Sequence, residues 1–208
     1  LALEDAGDPV SGLTTSPRVR SDLEIFRRMN EKVKVQVNLS VPTLDETAWR
    51  ATEPHSPSPR ARLDAVAELR SNGISSGILI APVMPGINDR PDQIEPILAA
   101  ADEAGADFVT PIALNLRRET RDVFFEWLEA ERPELVERYQ ELFPKGRGRM
   151  PKAEQQALLA PVRRPARGPR ARRRGMPSVF GNKDGVEVRE EAPVEQPPAD
   201  AVRQDKLF

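Results

Sequence analysis

The feature of this sequence that most constrains its fold is a regular alternation of strand-like and helix-like segments from about Pro9 to Phe143. The clearest strand pattern is at residues 33–41, where valine or leucine at every second position alternates with mostly polar residues. Strand–helix units of about 30 residues imply parallel strands joined by right-handed crossovers. The sequence therefore predicts an α/β fold, either a doubly wound sheet or a (β/α) barrel.

The pattern contains four strands and four helices. The predicted strands are residues 9–15, 33–41, 74–83 and 107–116, and the predicted helices are residues 19–30, 60–72, 91–104 and 120–132. Because four strands are too few to close a barrel, the barrel alternative is a partial one. In either architecture a ligand binds where the strands end, at their carboxyl termini. The residues at those ends are 14–16, 38–40, 82–89 and 115–118.

The strand–helix pattern stops after Phe143. Residues 145–174 are rich in arginine, glycine and proline, and residues 183–200 are acidic. Neither stretch has enough apolar residues to offset the entropy of ordering. We therefore predict a folded domain at 1–144 and a disordered tail at 145–208. The arginine tract at 145–174 is predicted to bind nucleic-acid phosphates without reading sequence, the alternative being a solvated tail.

Composition excludes several classes of site. The chain has no cysteine, which rules out disulfides, zinc–thiolate centres and cysteine nucleophiles. It has no apolar run of about 20 residues, so no membrane association is expected. It shows no signal-peptide pattern, which predicts a cytoplasmic location. Because the chain begins at Leu1 rather than at Met, we interpret it as a truncated product.

The most distinctive motif is Ala81–Asp89, which reads APVMPGIND. Pro82 and Pro85 stiffen the backbone, and Gly86 permits a sharp turn and close approach of a ligand. Asn88 and Asp89 are suited to capping the helix that follows. The motif predicts a ligand-facing loop, although a well-made strand-to-helix connection would also account for it.

These segments together resemble the radical S-adenosylmethionine family related to spore photoproduct lyase, often labelled DNA repair photolyase-like. The likeness covers roughly residues 8–143 and is carried by residues 14–22, 35–41, 53–54 with 62–63, and 73–89, together with Gly105 and the strand after it. It implies the third to sixth strands of a six-stranded partial barrel. The CxxxCxxC loop of the family would precede this sequence.

The resemblance implies S-adenosylmethionine and a [4Fe–4S] cluster as cofactors, with an electron donor as a partner. In that family reductive cleavage of the cofactor gives a 5′-deoxyadenosyl radical, and the substrate here could be nucleic acid. Without cysteine this chain holds no metal ligands and is expected to be inactive alone. The residues carried over as cofactor-binding are Thr15, Asn38, Ser40, Glu53, Arg62, Pro82, Gly86 and Asn88.

Several alternatives stay open at this point. Asn38 and Ser40 could instead be a polar pair satisfied inside the barrel, and Glu53 with Arg62 could be a structural salt bridge. Rival functions are a non-radical (β/α)-barrel enzyme such as an aldolase, for which Lys34 is a poor Schiff-base candidate, and a non-catalytic protein that binds nucleic acid through its basic tail. The C-terminal Gln204, Leu207 and Phe208 resemble a peptide that docks on a sliding clamp, a match that chance also explains.

Overall fold

The computed structural model describes residues 8–162 of the 208-residue chain, apart from the side chains of residues 118 and 119. Four strands alternate with helices in this part. In chain order the elements are β1 (Val10–Thr14), α1 (Leu23–Lys32), β2 (Val35–Ser40), α2 (Glu46–Thr52), α3 (Pro59–Ser71), β3 (Ile78–Val83), α4 (Pro91–Glu103), β4 (Val109–Ala113), α5 (Arg118–Glu131), α6 (Val136–Leu142) and α7 (Lys152–Leu159). The sequence predicted one helix over 19–30. The structure has a 3₁₀ helix at Pro17–Asp22, followed directly by α1.

The four strands form one sheet in the order β1-β2-β3-β4, and every neighbouring pair is parallel. This confirms the predicted α/β fold. The sheet is open, as expected of a partial barrel rather than a closed one. Because all strands run the same way, their carboxyl ends share one edge of the sheet. We call this the carboxyl edge, and the opposite one the amino edge.

The two faces of the sheet differ. Val35, Val37 and Leu39 of β2 are buried in the hydrophobic core, which α3 completes with Leu63, Val66 and Leu69. Strand geometry places Gln36, Asn38 and Ser40 on the opposite face. There β1 contributes Leu13, which is in register with Asn38 and 50% exposed. The predicted alternation in residues 33–41 thus separates an apolar face from a polar one, on which Asn38 and Ser40 are buried as well.

The helix boundaries follow local chemistry. Ser58 precedes α3, and its hydroxyl accepts a hydrogen bond from the Ala61 amide at 3.2 Å, while Pro59 occupies the first helical position. Asp45 caps α2 in the same way, accepting from the Ala48 amide at 2.7 Å. Gly73, with a φ of 78°, lies just beyond α3, as the Asn-Gly pair predicted.

The predicted boundary at 144 is wrong. Residues 145–162 continue the folded part, because the side chains of Met150, Leu159 and Val162 are buried in the same core. These apolar residues are sparse among charged ones, so the pattern did not reveal that α7 packs close to β4. The rest of the predicted tail, residues 163–208, lies outside the described part. No helix within residues 8–162 is long and apolar enough to cross a lipid bilayer.

Candidate functional site

A cavity of about 410 Å³ opens at the carboxyl edge of the sheet. It is lined by residues at the ends of β2, β3 and β4, by the end of α2 with the two residues after it, and by α5. Its wall is mostly apolar, with one carboxylate, and consists of Pro42, Ala51, Thr52, Glu53, Pro54, Pro82, Met84, Leu114, Thr120, Val123, Phe124 and Trp127. The cavity lies where a ligand is expected to bind in a parallel α/β sheet.

The carboxylate in this wall, Glu53, is held by the guanidinium of Arg62. Arg62 Nη2 lies 2.5 Å from Glu53 Oε2, and the Ser56 hydroxyl donates to the same oxygen at 3.0 Å. The Glu53 side chain is 22% exposed, whereas that of Arg62 is fully buried. Glu53 Oε1 has no hydrogen-bond partner among the described residues. One oxygen is therefore fixed in place, and the other is free to accept a hydrogen bond.

Arg62 connects three segments at this edge. It donates through Nη1 to the Ser40 carbonyl at the end of β2 at 2.8 Å and through Nε to the Pro57 carbonyl at 2.9 Å. It also donates through Nη2 to the Ser56 hydroxyl at 2.8 Å. A charged side chain buried in this way is tolerated because a carboxylate and several acceptors satisfy its donors. The predicted Glu53–Arg62 pair is thus formed, and Arg62 acts through Glu53 rather than from the cavity wall.

Ser40 and Asn38 are buried, and their side chains bind the backbone. The Ser40 hydroxyl donates to the Ala81 carbonyl at 2.8 Å, and Asn38 Oδ1 accepts from the Gly77 amide at 3.0 Å. Both contacts join β2 to the β3 segment across the sheet. Neither side chain lines the cavity. This geometry matches the alternative in which the two residues form a polar pair satisfied by a neighbouring strand.

The motif at 81–89 forms a tightly bonded loop. Asn88 is 2% exposed and donates through Nδ2 to the carbonyls of Pro42 at 2.9 Å and Pro82 at 3.0 Å. Its Oδ1 accepts from the Met84 amide at 2.7 Å. Asn88 therefore ties the chain after β2 to the end of β3. Of this loop, Pro82 and Met84 line the cavity.

The side of Gly86 on which a side chain would lie faces protein. A Cβ at this residue, whose φ is +76°, would lie 3.1 Å from Leu135 Cδ2. The hydroxyl of buried Tyr139 donates to the Pro85 carbonyl at 3.0 Å, and burial raises the pKa of that phenol. The region around α6 thus packs on this loop, and a side chain at residue 86 would meet Leu135.

The eight residues predicted to bind a cofactor therefore have different surroundings. Glu53 and Pro82 line the cavity, and Arg62 holds Glu53. Asn38, Ser40 and Asn88 make the backbone contacts given above, and Gly86 lies beside Leu135. Thr15 is exposed just beyond β1.

Sequence reasoning missed the contribution of α5 to the cavity. Aromatic residues at this helical spacing are typical of a core face, and Phe124 and Trp127 do pack together, with ring centroids 5.6 Å apart. Both also line the cavity, and Val123 beside them is 67% exposed. The position of this helix directly after the carboxyl end of a predicted strand is the one sequence signal that could have indicated a cavity wall.

The described residues offer no obvious metal site. Within residues 8–162 no group of three or more histidine, cysteine or acidic side chains is placed to hold a metal ion. The whole sequence lacks cysteine, so this chain cannot supply the thiolates that bind an iron–sulfur cluster.

Comparison with solved structures finds spore photoproduct lyase. A double variant of that enzyme, solved with bound AdoMet and dinucleoside spore photoproduct, aligns with a TM-score of 0.55 and 17% sequence identity. The alignment covers 78% of this chain and 51% of that one. The two proteins share a fold, with the similarity extending over about half of the lyase.

Sequence comparison finds relatives whose activities are not described. An uncharacterized protein of Mycobacterium tuberculosis is 36% identical over 145 residues, covering 70% of this chain and 43% of that protein. An uncharacterized protein of Methanocaldococcus jannaschii is 31% identical over 80 residues, covering 38% of this chain and 30% of that protein. The chain thus spans less than half the length of these relatives. No family model matches it.

Two of the partner predictions lie partly or wholly outside the described residues. Most arginines of the tract, those from residue 163 onward, are in that part, as are Gln204, Leu207 and Phe208. Binding of nucleic acid by the tract and of a sliding clamp by the C-terminus therefore stay predictions.

Proposed function

We propose that residues 8–162 form the S-adenosylmethionine-binding part of a radical S-adenosylmethionine enzyme. The observation that carries the proposal is the cavity at the carboxyl edge, into whose wall Arg62 fixes the carboxylate of Glu53. The fold shared with a lyase solved with bound AdoMet supports it.

The cavity suits the adenosyl end of this cofactor. Its apolar wall, which includes Pro54, Phe124 and Trp127, matches the faces of an adenine ring. The free oxygen of Glu53 is an acceptor suited to a ribose hydroxyl. Because Arg62 keeps the carboxylate in one orientation, little ordering is required when a ligand binds.

The cluster does not fit this chain. The sequence offers no thiolate, so we assign no residue to the cluster. The proposal places the cluster ligands in polypeptide outside these 208 residues. Reductive cleavage of S-adenosylmethionine is the chemistry that the two cofactors together would supply, and nucleic acid is the substrate class that we propose.

The open alternative of an aldolase-like barrel requires a lysine at the carboxyl edge. Lys34 precedes β2 and is exposed, and its carbonyl accepts from Val10 at the start of β1, so it lies at the amino edge. The cavity wall contains no lysine. The geometry therefore favours cofactor binding over Schiff-base chemistry.

Binding of 5′-deoxyadenosine to the full chain tests the proposal, because this probe does not need the cluster. We expect a dissociation constant on the order of millimolar, measured by ligand-observed NMR. Glu53→Gln should weaken binding several-fold. The amide oxygen is a poorer acceptor than a carboxylate oxygen, and the ion pair with Arg62 that orients the side chain is lost. Val123→Trp should abolish binding by filling the mouth of the cavity.

The matched control is Glu46→Gln, which removes an exposed carboxylate from the first turn of α2. It should leave binding unchanged. Equal affinity for the probe in the parent chain and in both cavity variants would contradict the proposal, provided that the variants unfold at the same temperature as the parent.

A further inference from the structure

Beside the cavity, the chain returns to the end of β4. Asn115 and Arg149 form an antiparallel bridge, and the Leu116 amide donates to the Gly148 carbonyl at 2.7 Å. Glycine is required here because a Cβ at residue 148 would lie 2.7 Å from the Leu116 carbonyl oxygen. The two segments are thus held in close contact.

This pairing brings three arginines together. Arg117 follows Leu116, and Arg147 and Arg149 flank Gly148, so the register places Arg117 opposite Arg147. All three are exposed, and none of their guanidinium groups has a hydrogen bond or ion pair within the described residues. We call these three residues the arginine cluster.

The arginine cluster has no evident role in folding. Like charges placed opposite each other destabilise a strand pair, and no acidic side chain of the described part offsets them by an ion pair. Guanidinium groups without partners on two paired segments indicate a place where an anion binds.

The arginine cluster is close to the cavity. Leu114 and Thr120 both line the cavity wall, and Arg117 lies between them in the chain as the residue that precedes α5. A ligand at this edge therefore meets an apolar wall and a group of positive charges together. Such a surface is complementary to a molecule that carries a ring system and a phosphate.

We propose that Arg117, Arg147 and Arg149 bind a phosphate group of the substrate at the mouth of the cavity. A guanidinium offers paired donors that match phosphate oxygens, and several of them together neutralise a phosphate better than one. The inference rests on the proposed function because it treats the cavity as the end of the sheet where the substrate binds. The phosphate could belong to a phosphodiester strand or to a small phosphate ester.

The test uses the full chain and a fluorescent single-stranded oligonucleotide of about ten nucleotides, a length within the range one domain covers. Arg147→Gln/Arg149→Gln should raise the dissociation constant about tenfold at low salt. The slope of log affinity against log salt should fall by about 0.7 for each lost phosphate contact. The variant Arg147→Lys/Arg149→Lys keeps the charge and should retain most of the salt slope.

The matched control is Arg18→Gln/Arg28→Gln, which removes the same charge from two exposed arginines whose guanidinium groups have no partner in the described part. It should change neither affinity nor slope. Equal weakening by the two glutamine pairs would overturn the proposal, because binding would then follow net charge alone. No weakening by either pair would overturn it as well.

Inorganic phosphate distinguishes the two sources. If millimolar phosphate displaces the oligonucleotide from the parent chain but not from Arg147→Gln/Arg149→Gln, the arginine cluster accepts a free phosphate. If inorganic phosphate does not compete but oligonucleotide affinity still depends on the arginine cluster, the arginine cluster binds a phosphodiester. Binding of 5′-deoxyadenosine should be unchanged in these variants, so failure of this proposal is separable from failure of the cavity proposal.

Discussion

The two edges of the sheet each contain an arginine paired with a carboxylate, but they use the pair differently. At the amino edge, Arg70 binds Asp107 at 2.7 Å, and both oxygens of Asp107 are occupied by Arg70, the Ser75 hydroxyl and the Ser76 amide. At the carboxyl edge, Arg62 and Ser56 occupy one oxygen of Glu53, and the other is free beside a cavity. A carboxylate with every acceptor filled stabilises the fold, whereas a half-filled one can also bind a ligand.

The largest effect is expected from Arg62→Met. The change leaves the Glu53 carboxylate without its cation and removes the donors to the Ser40 and Pro57 carbonyls. Removing one partner of a buried ion pair costs about 3–5 kcal/mol. We therefore expect the free energy of unfolding, measured in urea, to fall by that amount. Affinity for 5′-deoxyadenosine should fall too.

The control for this variant is Arg60→Met, an exposed position on the same helix, which should stay within about 0.5 kcal/mol of the parent. A loss below about 1 kcal/mol for Arg62→Met would show that the buried pair contributes little, and would remove the contrast between the two edges.

Asn88→Ala should have the next largest effect. It leaves two carbonyls and one amide at the carboxyl edge without their partner, at a cost of about 2–3 kcal/mol in urea unfolding. Asn88→Asp is the sharper variant, because it keeps the acceptor for Met84 but turns a negative charge toward the carbonyls of Pro42 and Pro82. Parent-like stability of Asn88→Asp would contradict the hydrogen-bond assignment.

The smallest effect is expected at the amino edge. Asp107→Asn keeps the shape but weakens an ion pair whose side chains are 23% and 31% exposed, so we expect a loss of about 1–2 kcal/mol. Affinity for 5′-deoxyadenosine should not change, because this edge lies away from the cavity. A changed affinity would show that the two edges are coupled and not separate in function.

Local pattern predicted the sheet well and the site in part. The valine alternation at 33–41 marked β2, and the Asn72-Gly73 pair marked the end of α3, because both depend on near neighbours in sequence. The pairing of Glu53 with Arg62 was also anticipated. The contact of Gly86 with Leu135 was not, since Leu135 is far away in the chain.

The cavity wall could not be predicted for the same reason. An aromatic stripe such as Phe124 and Trp127 has the same spacing whether it faces a core or an opening. The fold beyond residue 144 was missed because Met150, Leu159 and Val162 lie among many charged and small residues, and only the space next to β4 shows why they are buried.

The prolines of the cavity wall affect the entropy of ligand binding. Pro42, Pro54 and Pro82 come from three separate segments, and each has a φ angle fixed by its ring. Part of the conformational freedom of this wall is therefore absent already in the unfolded chain, long before a ligand arrives. A molecule that matches the cavity gives up mainly its own freedom, whereas one that does not match meets a wall with little capacity to adapt.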